Sequence, residues 1–214
     1  MNILVLVIIV SNVLISYKGI QDRLFIDKYK FQVGPILAGQ KIRLLSSGFL
    51  HTDYIHLGFN MYALYLFSGP VVSSFGEFYF LILYFGSLLA GNLFSLMYHK
   101  SETYYSAVGA SGAVSGIVYS AIMLYPDMQL IMFPIPIPLP GYVFGVGYLL
   151  YSIYGMKKQL GNVGHSAHLG GAIAGFVLTL AIHPQLFFEN TLMTVLLAIP
   201  IVLLFLIEKK LTNK

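Results

Sequence analysis

Ser111 stands between two glycines in the run "GASG", residues 109–112, where a long apolar stretch begins. A serine hydroxyl becomes a nucleophile when a neighbouring base takes its proton. If a helix starts here, Ser111 lies in the first turn, where unpaired N–H groups and the helix dipole favour a developing negative charge. Gly109 and Gly112 allow backbone or substrate to approach closely. The run predicts a nucleophile, a tightly packed helix start, or both.

A second polar pair occurs in "HLGFN", where His56 and Asn60 are four residues apart. On a helix these two side chains project from the same face, one turn apart. Both can donate hydrogen bonds, as an anionic oxygen requires. The alternative is a structural pair that bridges two helices.

A third cluster, "GHSAHLGGAIAG", places His168 ahead of Gly171 and Gly175. These glycines have the GxxxG spacing by which membrane helices pack closely, and Gly112 and Gly116 repeat it. Two helices with such seams can approach until His168 reaches the serine. The pattern favours a serine–histidine dyad, with a purely structural histidine as the alternative.

Histidines also raise the possibility of a metal site, formed by His51, His56, His165 and His168. The sequence lacks an HExxH motif, and almost no carboxylate lies in an apolar run. It also has no cysteine, which excludes disulfides and thiolate ligands. We therefore expect neither a metal nor another cofactor, and we interpret His165 as a helix-start residue near water without a catalytic role.

The composition shows what must position these residues. The chain has 214 residues, of which 57% are hydrophobic and only 9% charged, whereas soluble domains are about 25% charged. It is predicted to be a single all-α, polytopic membrane domain over residues 1–214, because its long apolar runs lack the alternation of a barrel. The predicted helices lie near 2–17, 56–70, 78–98, 107–125, 133–154, 166–183 and 192–207.

Two connecting segments stand out. Residues 18–55 mix charges with large apolar side chains, which is typical of a loop folded at the membrane interface. "FPIPIPLPG", residues 133–141, has proline at every second position, so we expect an extended, polyproline-like connector. The net charge of +4 is not evidence for a nucleic-acid partner, because the basic residues lie in loops and tails, where in a membrane protein they usually set the topology. We therefore expect no nucleic-acid partner.

The three polar motifs, "HTDYIHLGFNMYALYLFSG", "GASG" and "AHLGGAIAG", resemble the rhomboid family of intramembrane serine proteases in order and spacing. The resemblance covers about residues 40–183. It implies a bacterial-type six-helix core, to which residues 192–207 add a seventh helix, in a bacterial plasma membrane. It also implies that Ser111 is the nucleophile and His168 the general base, with His56, Asn60 and the Ser111 backbone N–H as the oxyanion hole.

Two positions depart from the family pattern. Arg43 matches the arginine of the family's Trp-Arg motif in the first loop, but Ile42 replaces the tryptophan. Ser115 stands where an aromatic residue that packs on the catalytic histidine is common. These changes weaken the expected anchoring of the loop and the orientation of His168, but they leave the chemistry intact.

The resemblance implies that transmembrane proteins are the substrates and that they enter from the bilayer between the second and fifth helices. The alternatives are an inactive rhomboid-like protein that binds membrane clients and a purely structural membrane protein. The sequence indicates no particular oligomeric state. Membrane orientation is predicted in two ways: the basic residues place the mouth of the site in the cytoplasm, whereas the family places it outside, which is the orientation we expect.

Overall fold

The computed structural model describes residues 2–132, 135–161 and 163–212. In this part of the chain the fold is a helical bundle, as the composition predicted. Its main helices are α1 (Ile3–Gln21), α5 (Tyr54–Tyr98), α6 (Ser111–Leu124), α7 (Gly141–Lys158), α8 (His165–Ile182) and α10 (Thr191–Thr212). Shorter helices are α2 (Arg23–Tyr29), α3 (Val33–Leu37), α4 (Arg43–Ser46) and α9 (Leu186–Glu189). Two hairpins pair β1 (Phe31–Gln32) with β2 (Ser106–Ala107) and β3 (Gln129–Met132) with β4 (Ile135–Pro140).

Three described helices, α1, α5 and α8, are long and apolar enough to cross a membrane. The apolar segments Ser111–Leu124 and Thr191–Leu204 are shorter. An apolar helix satisfies all of its backbone hydrogen bonds internally, so it can face lipid without cost to the backbone. The chain is an integral, multi-pass membrane protein.

Helix α5 contains two of the predicted spans. Its 45 residues would extend about 68 Å if straight, which is more than twice the roughly 30 Å hydrocarbon core of a bilayer. Gly76 breaks the helix, with φ 81° and ψ 172°, a conformation that L side chains rarely adopt. His56 near the start and Ser95 near the end both lie beside the beginnings of α6 and α8, so the chain reverses direction at Gly76.

The first loop is ordered, as its apolar side chains predicted. Between α1 and α5 it forms α2, β1, α3, α4 and a 3₁₀ turn, Ser47–Phe49. Phe31, Val33 and Ile36 form a small buried cluster under this loop. The loop is therefore a packed cap on one end of the bundle.

The proline-rich connector is extended, as predicted, but it pairs as a strand instead of remaining an unpaired, polyproline-like segment. Residues 133 and 134 lie outside the described residues, but 135–140 form a strand paired with β3, and α7 begins only at Gly141. The predicted fifth helix therefore starts too early. A single proline can be accommodated in a membrane helix, as Pro70 is in α5, but prolines at every second position remove too many N–H donors for a helix, and a proline cannot donate to a neighbouring strand. Because Pro136, Pro138 and Pro140 alternate along β4, the N–H groups left for pairing come from the residues between them.

Charge is distributed unevenly along the bundle axis. The far end, at the Gly76 break and the segments after α6 and α8, has the carboxylates Glu77, Asp127 and Glu189. The end covered by the first loop has every basic residue whose side chain is described: Lys18, Arg23, Lys28, Lys30, Lys41, Arg43, Lys100, Lys157 and Lys158. The three polar motifs of the sequence lie at this same basic end.

Candidate active site

A cavity of about 1110 Å³ lies between residues 54–75 of α5 and helices α6, α7 and α8. Ser111, His168, His56 and Asn60 all line it. At the basic end its wall comes from exposed loop residues, and deeper in the bundle from apolar side chains. The deeper wall includes Ala63, Phe67, Val114, Val118 and Phe144. The polar residues singled out from the sequence thus face one space that extends into the membrane-spanning part of the bundle.

In the described part of the chain, the "GASG" turn leaves a backbone N–H unpaired at Ser111, where it can donate to a negatively charged oxygen. Ser111 is the first residue of α6, so its backbone N–H has no acceptor within the helix. Of the two preceding N–H groups, that of Gly109 donates to the Ser47 carbonyl (3.0 Å) and that of Ala110 donates to His51 Nε2 (3.3 Å). Among the described residues, the Ser111 N–H has no hydrogen-bond acceptor. It is a free donor next to the serine hydroxyl.

Gly109 is required here for two reasons. Its φ of 134° lies in the region that favours glycine. A Cβ on Gly109 would also lie 3.0 Å from His56 Nε2 and 3.5 Å from Ser111 Oγ. The His56 ring and the serine hydroxyl therefore approach the same point, which only a residue without a side chain leaves free.

Helices α6 and α8 touch backbone to backbone, as their glycine spacing predicted. A Cβ on Gly171 would fall on the carbonyl oxygen of Gly112, and one on Gly175 would fall on that of Gly116. Gly112 itself lies near the Ala167 carbonyl. This contact brings the helix that begins at the serine against the helix that carries His168 in its first turn.

No hydrogen bond joins Ser111 Oγ to His168 among the residues that the structure describes. Catalytic hydrogen bonds are often long in a free enzyme and shorten when substrate binds. The two side chains are half-buried and share the cavity. Their assignment as nucleophile and base remains a prediction.

His56 and Asn60 lie on one face of α5, as their spacing predicted. Asp53 caps the helix by accepting a hydrogen bond from the His56 backbone N–H (2.8 Å). This hydrogen bond, and a second from the Thr52 hydroxyl, lower the pKa of Asp53. Asn60 donates one amide hydrogen to the His56 carbonyl (3.0 Å), which leaves its second hydrogen available in the cavity.

His51 connects three parts of the site, and sequence reasoning considered it only as a metal ligand. It is fully buried, and its Nε2 accepts the Ala110 N–H, so its Nδ1–H donates to Ser16 Oγ (2.8 Å). Its ring also packs edge-on against the His56 ring, with the centroids 4.9 Å apart. Burial lowers the pKa of His51 to about 3, and His56 adds to this shift while Asp53 opposes it. His51 is a neutral link between α1, the "GASG" turn and His56.

Arg43 anchors the first loop and does not line the cavity. Its side chain is 7% exposed, and its Nη1 donates to the carbonyls of Asp27 (2.9 Å) and Lys30 (3.0 Å) near the end of α2. Its Nε donates to Gln40 Oε1 (2.7 Å). Ile42, at the position of the family's tryptophan, is 60% exposed and contributes little to this anchor.

His165 begins α8 as predicted, but the expectation that it lies near water was wrong. It is 3% exposed, because Gly155 of α7 leaves room for its ring. Its Nε2 donates to the Leu160 carbonyl (3.2 Å), and the Tyr151 ring packs edge-on against it. Within the described part of the chain, no group of three or more His, Cys, Asp or Glu residues is placed to hold a metal ion.

The fold and the site define a class: a polytopic helical membrane protein with a serine, a histidine and hydrogen-bond donors around a cavity in its spanning region. Residues 38–185 match the Rhomboid domain. The chain belongs to the rhomboid family.

Curated relatives agree with this assignment. The chain is 33% identical over 154 residues to "Rhomboid protein 1, mitochondrial" of Saccharomyces cerevisiae, an alignment that covers 71% of this chain and 44% of that protein. It is 28% identical over 185 residues to "RHOMBOID-like protein 12, mitochondrial" of Arabidopsis thaliana, with 79% and 55% covered. It is 30% identical over 138 residues to the human "Presenilin-associated rhomboid-like protein, mitochondrial", with 62% and 35% covered.

These relatives correct one expectation from the sequence. Their names are mitochondrial, so they do not support the bacterial type or the bacterial plasma membrane that the resemblance implied. The chain spans about half or less of the length of these proteins.

Proposed function

We propose that this chain is an intramembrane serine protease that hydrolyses peptide bonds in or near transmembrane segments of other membrane proteins. One observation carries the proposal: Ser111, His168, His56 and Asn60 line the same cavity, and the Ser111 N–H is a free donor beside them. The first two can supply a nucleophile and a base, and the others can supply donors to an oxyanion.

The reaction begins when Ser111 Oγ attacks the carbonyl carbon of the scissile peptide and its proton passes to His168. The carbonyl oxygen becomes an oxyanion in a tetrahedral intermediate. His168 then gives the proton to the leaving amine as the C–N bond breaks, which leaves an ester on Ser111. Water attacks this ester while His168 takes a proton from the water. His168 then returns that proton to Ser111 Oγ as the acyl C–O bond breaks, which restores the serine and releases the acid product, which ionises to a carboxylate.

Three donors stabilise the oxyanion in this proposal. They are the Ser111 N–H at the start of α6, the free amide hydrogen of Asn60, and the His56 ring beside Gly109. The donors are held before substrate arrives, since Asp53 caps the helix start at His56 and His51 holds the turn before Ser111. Donors fixed in advance need no reorganisation when the charge develops.

The substrate enters between residues 54–75 of α5 and helix α7, which are the second and fifth spans of the bundle. Ala63 and Phe67 of α5 and Phe144 of α7 all line the cavity. An apolar border suits a transmembrane segment, and the polar loop residues at the basic end suit an unwound peptide and the water needed for hydrolysis. No charged side chain lies on the α5 and α7 parts of this border.

The test compares the purified chain in detergent with Ser111→Ala and His168→Ala on a generic transmembrane substrate. Each substitution should abolish cleavage, and the double variant should be no worse than either single one, because residues that act as a unit are non-additive. Thermal unfolding of each variant is the control for folding.

Appreciable cleavage by folded Ser111→Ala would exclude this serine as the nucleophile. A folded wild-type chain that retains the transmembrane substrate on a column without cutting it would favour the alternative, an inactive rhomboid-like protein that binds membrane clients.

A further inference from the structure

The structure supplies an aromatic ring beside His168 from a helix where the sequence pattern did not place one. At residue 115, one turn after Ser111 on α6, the chain has serine in place of the aromatic residue expected from the resemblance. Ser115 is 4% exposed, and its small side chain leaves room between α6 and α8. The ring of Tyr148, from α7, stacks on the His168 ring there, with centroids 6.1 Å apart and an interplanar angle of 19°.

Hydrogen bonds attach this ring to the helix of the nucleophile. Ser115 Oγ donates its only hydrogen to the Ser111 carbonyl (2.7 Å). The Tyr148 hydroxyl lies 2.6 Å from Ser115 Oγ, so it must be the donor in that contact. A chain of two donors thus runs from Tyr148 through Ser115 to the backbone of Ser111.

We propose that Tyr148 is the positioning residue for His168, and that Ser115 fixes its ring by accepting its hydroxyl hydrogen. The proposal rests on the serine–histidine dyad proposed above. Tyr148 acts through His168: the stacked ring limits rotation of the imidazole, so its proton-accepting nitrogen faces Ser111. Small displacements of a general base are costly, because proton transfer requires hydrogen-bond distance to the nucleophile.

The Tyr148 ring links His168 to helix α7. Tyr148 belongs to α7, which borders the proposed substrate entrance, whereas Ser111 and Ser115 belong to α6. A second hydrogen bond ties the same two helices, from the Tyr119 hydroxyl to the Gly145 carbonyl (2.5 Å). The orientation of His168 therefore depends on the packing of α7 as well as on the contact between α6 and α8.

The experiment separates the dyad from substrate entry by using two reagents on the full chain in detergent. One is a small fluorophosphonate, whose rate of covalent attachment to Ser111 reports the nucleophile and base alone. The other is a transmembrane substrate, for which kcat and KM are measured separately. The variants are Tyr148→Phe, Tyr148→Leu and Ser115→Ala, and the matched control is Tyr151→Leu. Tyr151 lies on the same helix, and its ring packs on His165 instead of His168.

Tyr148→Leu should lower both the fluorophosphonate rate and kcat by about 10- to 100-fold, with KM within about twofold, since the base is displaced while the substrate contacts persist. Tyr148→Phe keeps the ring and loses one hydrogen bond, whereas Ser115→Ala keeps the ring and loses two, those with Tyr148 and with the Ser111 carbonyl. Each should lower the two rates roughly 2- to 10-fold, with the larger loss in Ser115→Ala. Tyr151→Leu should match the wild type. A swapped variant, Ser115→Tyr with Tyr148→Ser, should recover most of the fluorophosphonate rate, because the ring then comes from α6.

Wild-type fluorophosphonate rates in Tyr148→Leu would overturn the proposal, as would an equal loss in Tyr151→Leu. A loss confined to the transmembrane substrate would mean that Tyr148 only shapes the entrance, and would also overturn it. If Tyr148→Leu fails to unfold cooperatively, Tyr148→Phe and the swapped variant decide the matter. A wild-type chain labelled no faster than Ser111→Ala would instead refute the dyad, and this inference would fall with it.

Discussion

Helices α6 and α8 border the cavity on one side and α7 borders it on another, yet the two sides are built differently. Between α6 and α8 the backbones touch, so that a Cβ on Gly171 would fall on a carbonyl oxygen. The contacts of helix α7 with the site are made through side chains. Its Tyr148 ring stacks on His168, and the Tyr119 hydroxyl of α6 donates to its Gly145 carbonyl. A Cβ on Gly145, which is buried in α7, would meet side-chain atoms only, the nearest being Leu197 Cδ2 at 2.8 Å.

The difference shows how one small bundle meets two opposed requirements. Ser111 and His168 must be held together, and a backbone contact is the stiffest support, because neither helix has a side chain there that can rotate away. The proposed entrance must admit a transmembrane segment. A border of side chains can rearrange at a smaller cost than a border of backbone atoms.

The largest effect should come from a substitution in the backbone contact. Gly171→Val places a branched side chain on the Gly112 carbonyl, and the helices have to separate. Overpacking of this kind costs about 1–3 kcal/mol or more, and the separation moves His168 away from Ser111. We expect loss of cooperative thermal unfolding together with loss of cleavage.

The matched control is Gly147→Val on α7, where space is open. Its unfolding free energy should stay within about 1 kcal/mol of the wild type, the usual range of helix propensity. Equal damage by the two substitutions would show that the loss in Gly171→Val does not come from the backbone contact of α6 and α8.

A large effect on chemistry alone should come from the donors on α5, which faces the α6–α8 contact. Loss of one oxyanion donor lowers kcat by roughly 10²–10³ in other enzymes. We expect such a loss for His56→Ala, because the His56 ring lies beside Gly109 next to Ser111 Oγ, and a smaller one for Asn60→Ala. Each variant keeps two of the three donors. Neither should prevent folding. The measurement is kcat on a transmembrane substrate, with thermal unfolding as the control; wild-type turnover in both variants would mean that the pair is structural.

A smaller effect is expected from His51, which joins α1 to the turn before Ser111. Its pKa is about 3 in the folded chain against an ordinary value of 6.5, so the unfolded chain binds an extra proton between these values. The contribution of His51 to the free energy of unfolding is therefore complete above about pH 6.5. It falls as the pH is lowered towards 3, by at most about 1.4 kcal/mol per pH unit. His51→Gln, which cannot titrate, should reduce this slope.

The measurement is the unfolding free energy of both forms in detergent between pH 7 and about pH 5.5, above the range where carboxylates such as Asp53 contribute. Parallel curves for the wild type and His51→Gln would show that protonation of this histidine does not oppose folding.

Local patterns were enough to predict much of the fold and the candidate site. The apolar runs predicted the spans, the two GxxxG seams predicted the close contact of α6 and α8, and the spacing of His56 and Asn60 predicted their common face. These inferences hold because helical periodicity and small-residue spacing act over one or two turns of a single helix.

Other features could not be seen in the sequence. His165 appeared to be a helix-start residue near water, but α7 buries it at Gly155. The proline-rich segment from 135 to 140 was predicted to be extended, but its pairing with residues 129–132 was not predicted. Both outcomes depend on a second segment of the chain, and the spacing of the first segment contains no information about it.

The sequence by itself determined that this is a helical membrane protein with Ser111 at a helix start and His168 beside a glycine seam. Only the tertiary structure decided which groups support them. His51 reaches the backbone N–H of Ala110, and Tyr148 of α7 stacks on His168 where Ser115 leaves room. A residue's own neighbours in sequence set its place on a helix, but the ring and the hydrogen bond that orient it come from segments tens of residues away, brought together by packing.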